Sequence, residues 1–176
     1  MKKIQTKQLI YAAVFAALCF AVTYVVVIPM PYGYLNFGDV IVLLCSWFLG
    51  PIGAIAAGVG CALADLLSGY AIYAPATFVI KSVVAIVGYT LFCLFSKLFK
   101  NQKHFLPRLF SALVAEICMV LGYFLFECIL YGVAGASASL LGNGVQAFIG
   151  AIGATALLLP LQAIPFLQKN FPLLRQ

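Results

Sequence analysis

Gly38-Asp39-Val40-Ile41-Val42-Leu43-Leu44-Cys45-Ser46-Trp47-Phe48-Leu49-Gly50 runs directly into Pro51 and a second apolar stretch. At thirteen residues the run is shorter than the roughly 20 that cross a bilayer as a helix. Counted from Tyr34 it just reaches across; otherwise it is a short helix inside a bundle. The charges on either side decide whether it counts as a crossing. Lys2, Lys3 and Lys7 precede the first apolar run, and Lys97, Lys100, Lys103 and Arg108 separate the fourth from the fifth. Lys169 and Arg175 follow the last. The stretches 30–37, 70–74 and 133–142 hold no Lys or Arg. If 38–50 is a span, all nine of these basic residues fall on one side, which the positive-inside rule makes cytoplasmic. If it is not, they are split. The predicted fold is therefore an all-α integral membrane protein with six transmembrane helices and both termini cytoplasmic. Approximate spans are 9–29, 38–50, 51–70, 75–96, 108–132 and 143–167, forming one domain over residues 1–176.

Composition agrees. Hydrophobic residues make up 65% of the 176-residue chain and charged ones 8%, against about 25% charged in a soluble domain. Six spans with short connections leave no length for a soluble catalytic domain. The net charge of +6 sits in flanks rather than in a stripe, so nucleic acid is not an expected partner; membrane lipid is. Cys19, Cys45, Cys61, Cys93, Cys118 and Cys128 all lie in apolar runs with no metal-like spacing, as packing residues do. The apolar run after Lys7 extends to about Ile28, beyond the roughly 7–15 residues of a signal-peptide core, and is read as a retained first span.

The acids behave oppositely to the bases. Asp39, Asp65, Glu116 and Glu127 are the only four, and each lies in or at the mouth of an apolar run; Lys81 is the one basic residue inside such a run. Ionised groups are costly there, which makes each a functional-site candidate. The six-span topology puts Asn36, Asp39, Asp65, Lys81, Glu127, Asn143 and Gln146 in one layer, within roughly 10 Å of the outer boundary at about 1.5 Å per helical residue. Glu116 lies nearer the bilayer centre. Tyr32, Tyr34, Tyr70, Tyr73 and Tyr131 gather on the same side. Convergent polar groups under aromatic walls describe a small-molecule cup open to the outside. Plainer roles exist for each part: Asp39 as a helix cap, Asp65 with Lys81 as a structural ion pair, and tyrosines as interfacial belt residues. The shared depth favours the cup.

Signatures of other chemistry are missing. Gly53-xxxx-Gly58 lacks the Lys-Ser/Thr of a phosphate loop, and Gly58-Val59-Gly60 has no third glycine. His104 lies in a basic loop, and no His/Cys/Asp cluster suggests a metal. Neither a cofactor nor catalysis is expected. Small residues recur at four-residue spacing on span one, as Ala12 with Ala16 and Ala13 with Ala17, a pattern that lets helix backbones approach closely.

Four segments carry a family resemblance: Asn36-Phe37-Gly38-Asp39, Gly50-Pro51-Ile52-Gly53-Ala54, Ala64-Asp65-Leu66-Leu67-Ser68-Gly69-Tyr70, and Ala74-Pro75-Ala76-Thr77-Phe78-Val79-Ile80-Lys81. In that order and spacing the chain resembles the substrate-binding S component of energy-coupling factor (ECF) vitamin transporters, in the branch with riboflavin and hydroxymethylpyrimidine/pyridoxine binders. The resemblance implies a high-affinity vitamin binder in a bacterial-type cell membrane. It implies docking on one transmembrane coupling protein and two ATPases, with Ala12, Ala13, Ala16 and Ala17 as the contact, and a subunit that topples to deliver its ligand inward.

Three acids against one lysine and no arginine in the cup disfavour a polyanionic ligand, which would take bidentate arginine. A neutral or weakly basic ring stacked on tyrosine points to pyridoxine or hydroxymethylpyrimidine, with riboflavin as the alternative. The other function classes are a structural membrane subunit with ion-paired helices and a small membrane enzyme using Asp65 and Glu127 as acid and base.

Overall fold

The computed structural model of the chain describes residues 5–30, 34–99 and 105–175. Lys2, Lys3, Tyr32, Lys100, Lys103 and His104, used in the sequence reading, lie outside these residues. Helix α1, Thr6–Val25, opens where Gln8 Oε1 accepts the Gln5 backbone N–H at 3.0 Å, a side chain serving an amide that the helix leaves orphaned. It ends short of the expected residue 29, because Ile28–Pro29 (β1) pairs antiparallel with Tyr34–Leu35 (β2), Pro29 opposite Tyr34.

Helix α2, Gly38–Leu49, is the short run on which the span count turned. Its 12 residues cover about 18 Å at 1.5 Å per residue, well under the roughly 30 Å of a bilayer core. The environment explains how so short a helix is stable. Val42, Leu43, Cys45 and Trp47 are 0% exposed, and ten of the helix's residues are buried. A helix apolar all round belongs in a core. Surrounded by other helices, α2 has no need to match the bilayer thickness. Gly50, at φ 61°, reverses the chain into α3, Pro51–Leu67, where Pro51 occupies the first turn and loses no hydrogen bond.

Helix α3 packs closely on α1. A Cβ on Gly60 would stand 2.3 Å from the Ala16 backbone oxygen, so only glycine permits this approach. Helix α4 covers Ala74–Leu98. Helix α5, Phe105–Leu161, contains the non-helical residue Gly132 at φ 72°, ψ 172°, a conformation glycine adopts without steric cost. The two arms, 105–131 and 133–161, run antiparallel: Glu127 meets Ser139, and Arg108 Nη1 donates to Gln162 Oε1 at 2.9 Å. The chain closes with α6, Pro165–Asn170, and a 3-10 turn, Pro172–Arg175.

The Gly/Ala/Ser-rich stretch 133–142 is therefore helix, not the connection expected before a span at 143. In hydrocarbon every backbone group must be satisfied within the segment, so residues that read as loop in water go helical. Six apolar segments, α1 to α4 and the two arms of α5, make an all-α membrane bundle. Exposed Leu9, Ile55, Val79, Leu121, Leu125 and Phe148 form its lipid-facing surface.

Candidate ligand-binding site

The chain between β2 and α2 dips into the bundle. Tyr34, Leu35 and Asn36 are all buried. Non-helical backbone at this depth needs partners, and two side chains supply them. Gln146 Oε1 accepts the Asn36 backbone N–H at 2.9 Å, and Asn36 Oδ1 accepts the Gly38 N–H at 2.8 Å. Helix α2 consequently begins near the middle of the α5 arms. Asp39 and Glu116 both pack on Gly150 there.

This placement corrects the sequence-based depths. Asp39 is not at the outer face and makes no side-chain capping bond. Its Oδ1 pairs with Lys81 Nζ at 2.5 Å, and its Oδ2 accepts from Gln146 Nε2 at 2.6 Å. Lys81 thus pairs with Asp39 and not with Asp65, the partner that the structural ion-pair alternative gave it. The ammonium also lies 5.3 Å from the Tyr123 ring centroid, a favourable position over the ring face. Asn143 and Gln146 are likewise deeper than expected; Asn143 lies ten residues into the second arm, about 15 Å along it.

Above the ion pair is a small cavity of about 30 Å³. Seven of the ten predicted ligand residues line it: Asn36, Asp65, Tyr70, Tyr73, Glu127, Asn143 and Gln146. Asp39 and Lys81 lie behind its wall, joined to it through Gln146. Tyr131, 40% exposed, is outside the lining. Met30, Tyr34, Thr77 and Tyr123 complete the lining. Tyr34 had been noted as an aromatic wall; the other three were missed. Tyr123 precedes Glu127 by four residues, one turn on the same helix face, and that spacing could have marked it.

Tyrosines hold the two cavity acids. Tyr34 Oη donates to Asp65 Oδ1 at 2.6 Å, and Tyr73 Oη to Glu127 Oε1 at 3.4 Å. Ser139 donates to the other Glu127 oxygen. The Tyr34 and Tyr70 rings lie 4.8 Å apart, Tyr70 and Tyr73 6.3 Å, and Tyr73 and Phe126 5.4 Å. Thr77 and Tyr123 share a 2.9 Å hydrogen bond. Flat aromatic faces and polar edges therefore converge from β2, α3, α4 and both arms of α5. Glu116 is 1% exposed, and neither carboxyl oxygen has a hydrogen-bond partner among the described residues.

The expected partner stripe on α1 divides. Ala12 and Ala16 are half-buried against the core, whereas Ala13 and Ala17 are exposed. No group of three or more metal-ligating side chains occurs among the described residues.

The sequence model of one family, described as the S component of an ECF-type riboflavin transporter, matches residues 3–163. The chain belongs to this S-component family. A Pyrococcus woesei protein, described as an uncharacterized protein in the gap 3' region, is 42% identical over 127 residues, 71% of this chain and 80% of that protein. The solved S component of a bacterial ECF transporter matches at a TM-score of 0.68, covering 88% of this chain and 94% of its own. Sequence identity to it is 22%, so that likeness is one of fold. The S component described above is a membrane transporter component, and its family is one of substrate binders rather than enzymes.

Proposed function

We propose that this S component captures a neutral, flat, heteroaromatic vitamin in the tyrosine-walled cup and passes it to a coupling protein driven by two ATPases, in the plasma membrane. Riboflavin is the first choice. The sequence reading put pyridoxine and hydroxymethylpyrimidine ahead of it; the riboflavin description of the matching family supports reversing that order. The observation that carries the ligand class is the engagement of Lys81. Its charge is spent on Asp39 behind the cavity wall, and no Lys or Arg among the described residues lines the cavity. What remains are hydroxyls, amides and two carboxylates, which match the imide edge and hydroxylated side chain of riboflavin better than any phosphate ester.

The narrow cavity favours the second reading in one respect, since a single-ring vitamin needs less separation of Tyr34, Tyr70 and Tyr73 than a three-ring flavin. Calorimetric titration of the purified protein with riboflavin, flavin mononucleotide, pyridoxine and hydroxymethylpyrimidine discriminates. Saturable riboflavin binding, at least tenfold tighter than its phosphate ester, is the expected result. Asn143→Ala should weaken it about tenfold, equivalent to about 1.4 kcal/mol. Tighter binding of pyridoxine or hydroxymethylpyrimidine would install the second reading. Failure of all four to bind would remove vitamin capture.

A further inference from the structure

A larger cleft, about 610 Å³, opens at the end of the bundle opposite the Gly132 turn. Its walls come from the start of α1, the α2–α3 junction at Gly50, Tyr89 of α4 and the α6 segment. Among the described residues two cations stand at it, Lys7 and Lys169, and no Asp or Glu contributes to the lining. Lys7 is fixed on both sides: its Nζ donates to Asn170 Oδ1 at 2.5 Å and lies 5.7 Å from the Tyr11 ring centroid. Lys169 is exposed. The floor is aromatic, with Phe171 buried and its ring 4.7 Å from that of Tyr11. Apolar Phe166, 64% exposed, stands one turn before Lys169 on α6.

The arrangement is amphiphilic in one direction. Cationic heads and tyrosines stand at the end of the bundle where lipid headgroups lie, and the exposed ring of Phe166 adjoins them. All four acids of the chain belong to the ligand cup or its surroundings, so nothing negative opposes an anion here. Lysine stems can lie along apolar surface while the ammonium reaches a headgroup, and basic pockets between membrane helices suit anionic lipid. We propose that this cleft binds the phosphate headgroup of an anionic phospholipid, with an acyl chain lying against Phe166. A free phosphate would meet the same cations but gain nothing from the apolar ring. The room is of the size that holds small organic groups, about 300–1,000 Å³.

Native mass spectrometry of the delipidated protein, titrated with phosphatidylglycerol or phosphatidylcholine, tests this. Phosphatidylglycerol should be retained at least fivefold over phosphatidylcholine. Lys169→Gln should reduce that ratio, and Lys7→Gln with Lys169→Gln should bring it near one, with an unchanged circular dichroism spectrum confirming the fold. No headgroup preference in the unaltered protein, or the same preference in the folded double variant, overturns the proposal. A thermal shift from inorganic phosphate equal to that from phosphatidylglycerol would show a small-anion site instead. Full lipid selectivity of the double variant, together with lost co-purification of the coupling module, would make the cleft a protein-docking surface, and the lipid assignment would fall.

Discussion

Lys81 Nζ lies 2.5 Å from Asp39 Oδ1, with both side chains 1% exposed. The pair ties α4 to the start of α2, and through Gln146 it also holds the second arm of α5. Removing one member of a buried pair typically costs about 3–5 kcal/mol, because the other charge is left stranded, whereas replacing both can be nearly neutral. Lys81→Met alone is expected to lower the thermal midpoint strongly. Adding Asp39→Asn should recover most of the loss, and adding Asp65→Asn instead should recover none. Thermal unfolding of the three variants in detergent decides it. Rescue by Asp65→Asn would contradict the observed pairing.

The division of the alanine stripe gives a second expectation. Ala13 and Ala17 face outward, while the Ala16 backbone touches α3 at Gly60. Ala13→Leu with Ala17→Leu should leave ligand affinity of the isolated protein within about twofold and abolish uptake by blocking close helix approach. Gly60→Ala should act on the fold itself, forcing α1 from α3 at a cost of about 1–3 kcal/mol, the usual range for overpacking. Affinity, uptake and thermal midpoint are measured on each. Loss of affinity in the Ala13/Ala17 variant would make that face internal packing.

The gross fold was legible because charge in a membrane protein is strongly position-dependent. Nine flanking basic residues required an even number of crossings between Lys7 and Lys97, which made 38–50 a helix of the bundle despite its length. What surrounds that helix was not legible, since local sequence does not report neighbours. The consequence fell on Asp39. The dipping segment 34–37 has no periodicity to read, so by sequence Asp39 falls at the outer surface and Asp65 stands as the alternative ion-pair partner of Lys81. Similarly, 133–142 has the composition of an aqueous loop, and its helical state follows from hydrocarbon surroundings. Seven cavity residues were nevertheless named from sequence, because a buried polar group in an apolar run is conspicuous whatever its exact depth.

Orientation gives the last prediction. The helix ends carrying Lys7, Lys97, Arg108 and Lys169 lie at one end of the bundle, and the residue 71–73 turn and Gly132 at the other. Positive charge is retained on the cytoplasmic side, so the cup should open outward and both termini should lie in the cytoplasm. In a background with the native cysteines replaced, Ile72→Cys, in the exposed 71–73 turn, should react in intact cells with a membrane-impermeant maleimide. Gln102→Cys should react only after permeabilisation. The expected contrast is all-or-none, because a correctly inserted chain has one topology. Labelling of Gln102→Cys in intact cells, with Ile72→Cys protected, would invert the protein and put the ligand cup on the cytoplasmic side, where it could not capture a vitamin for uptake.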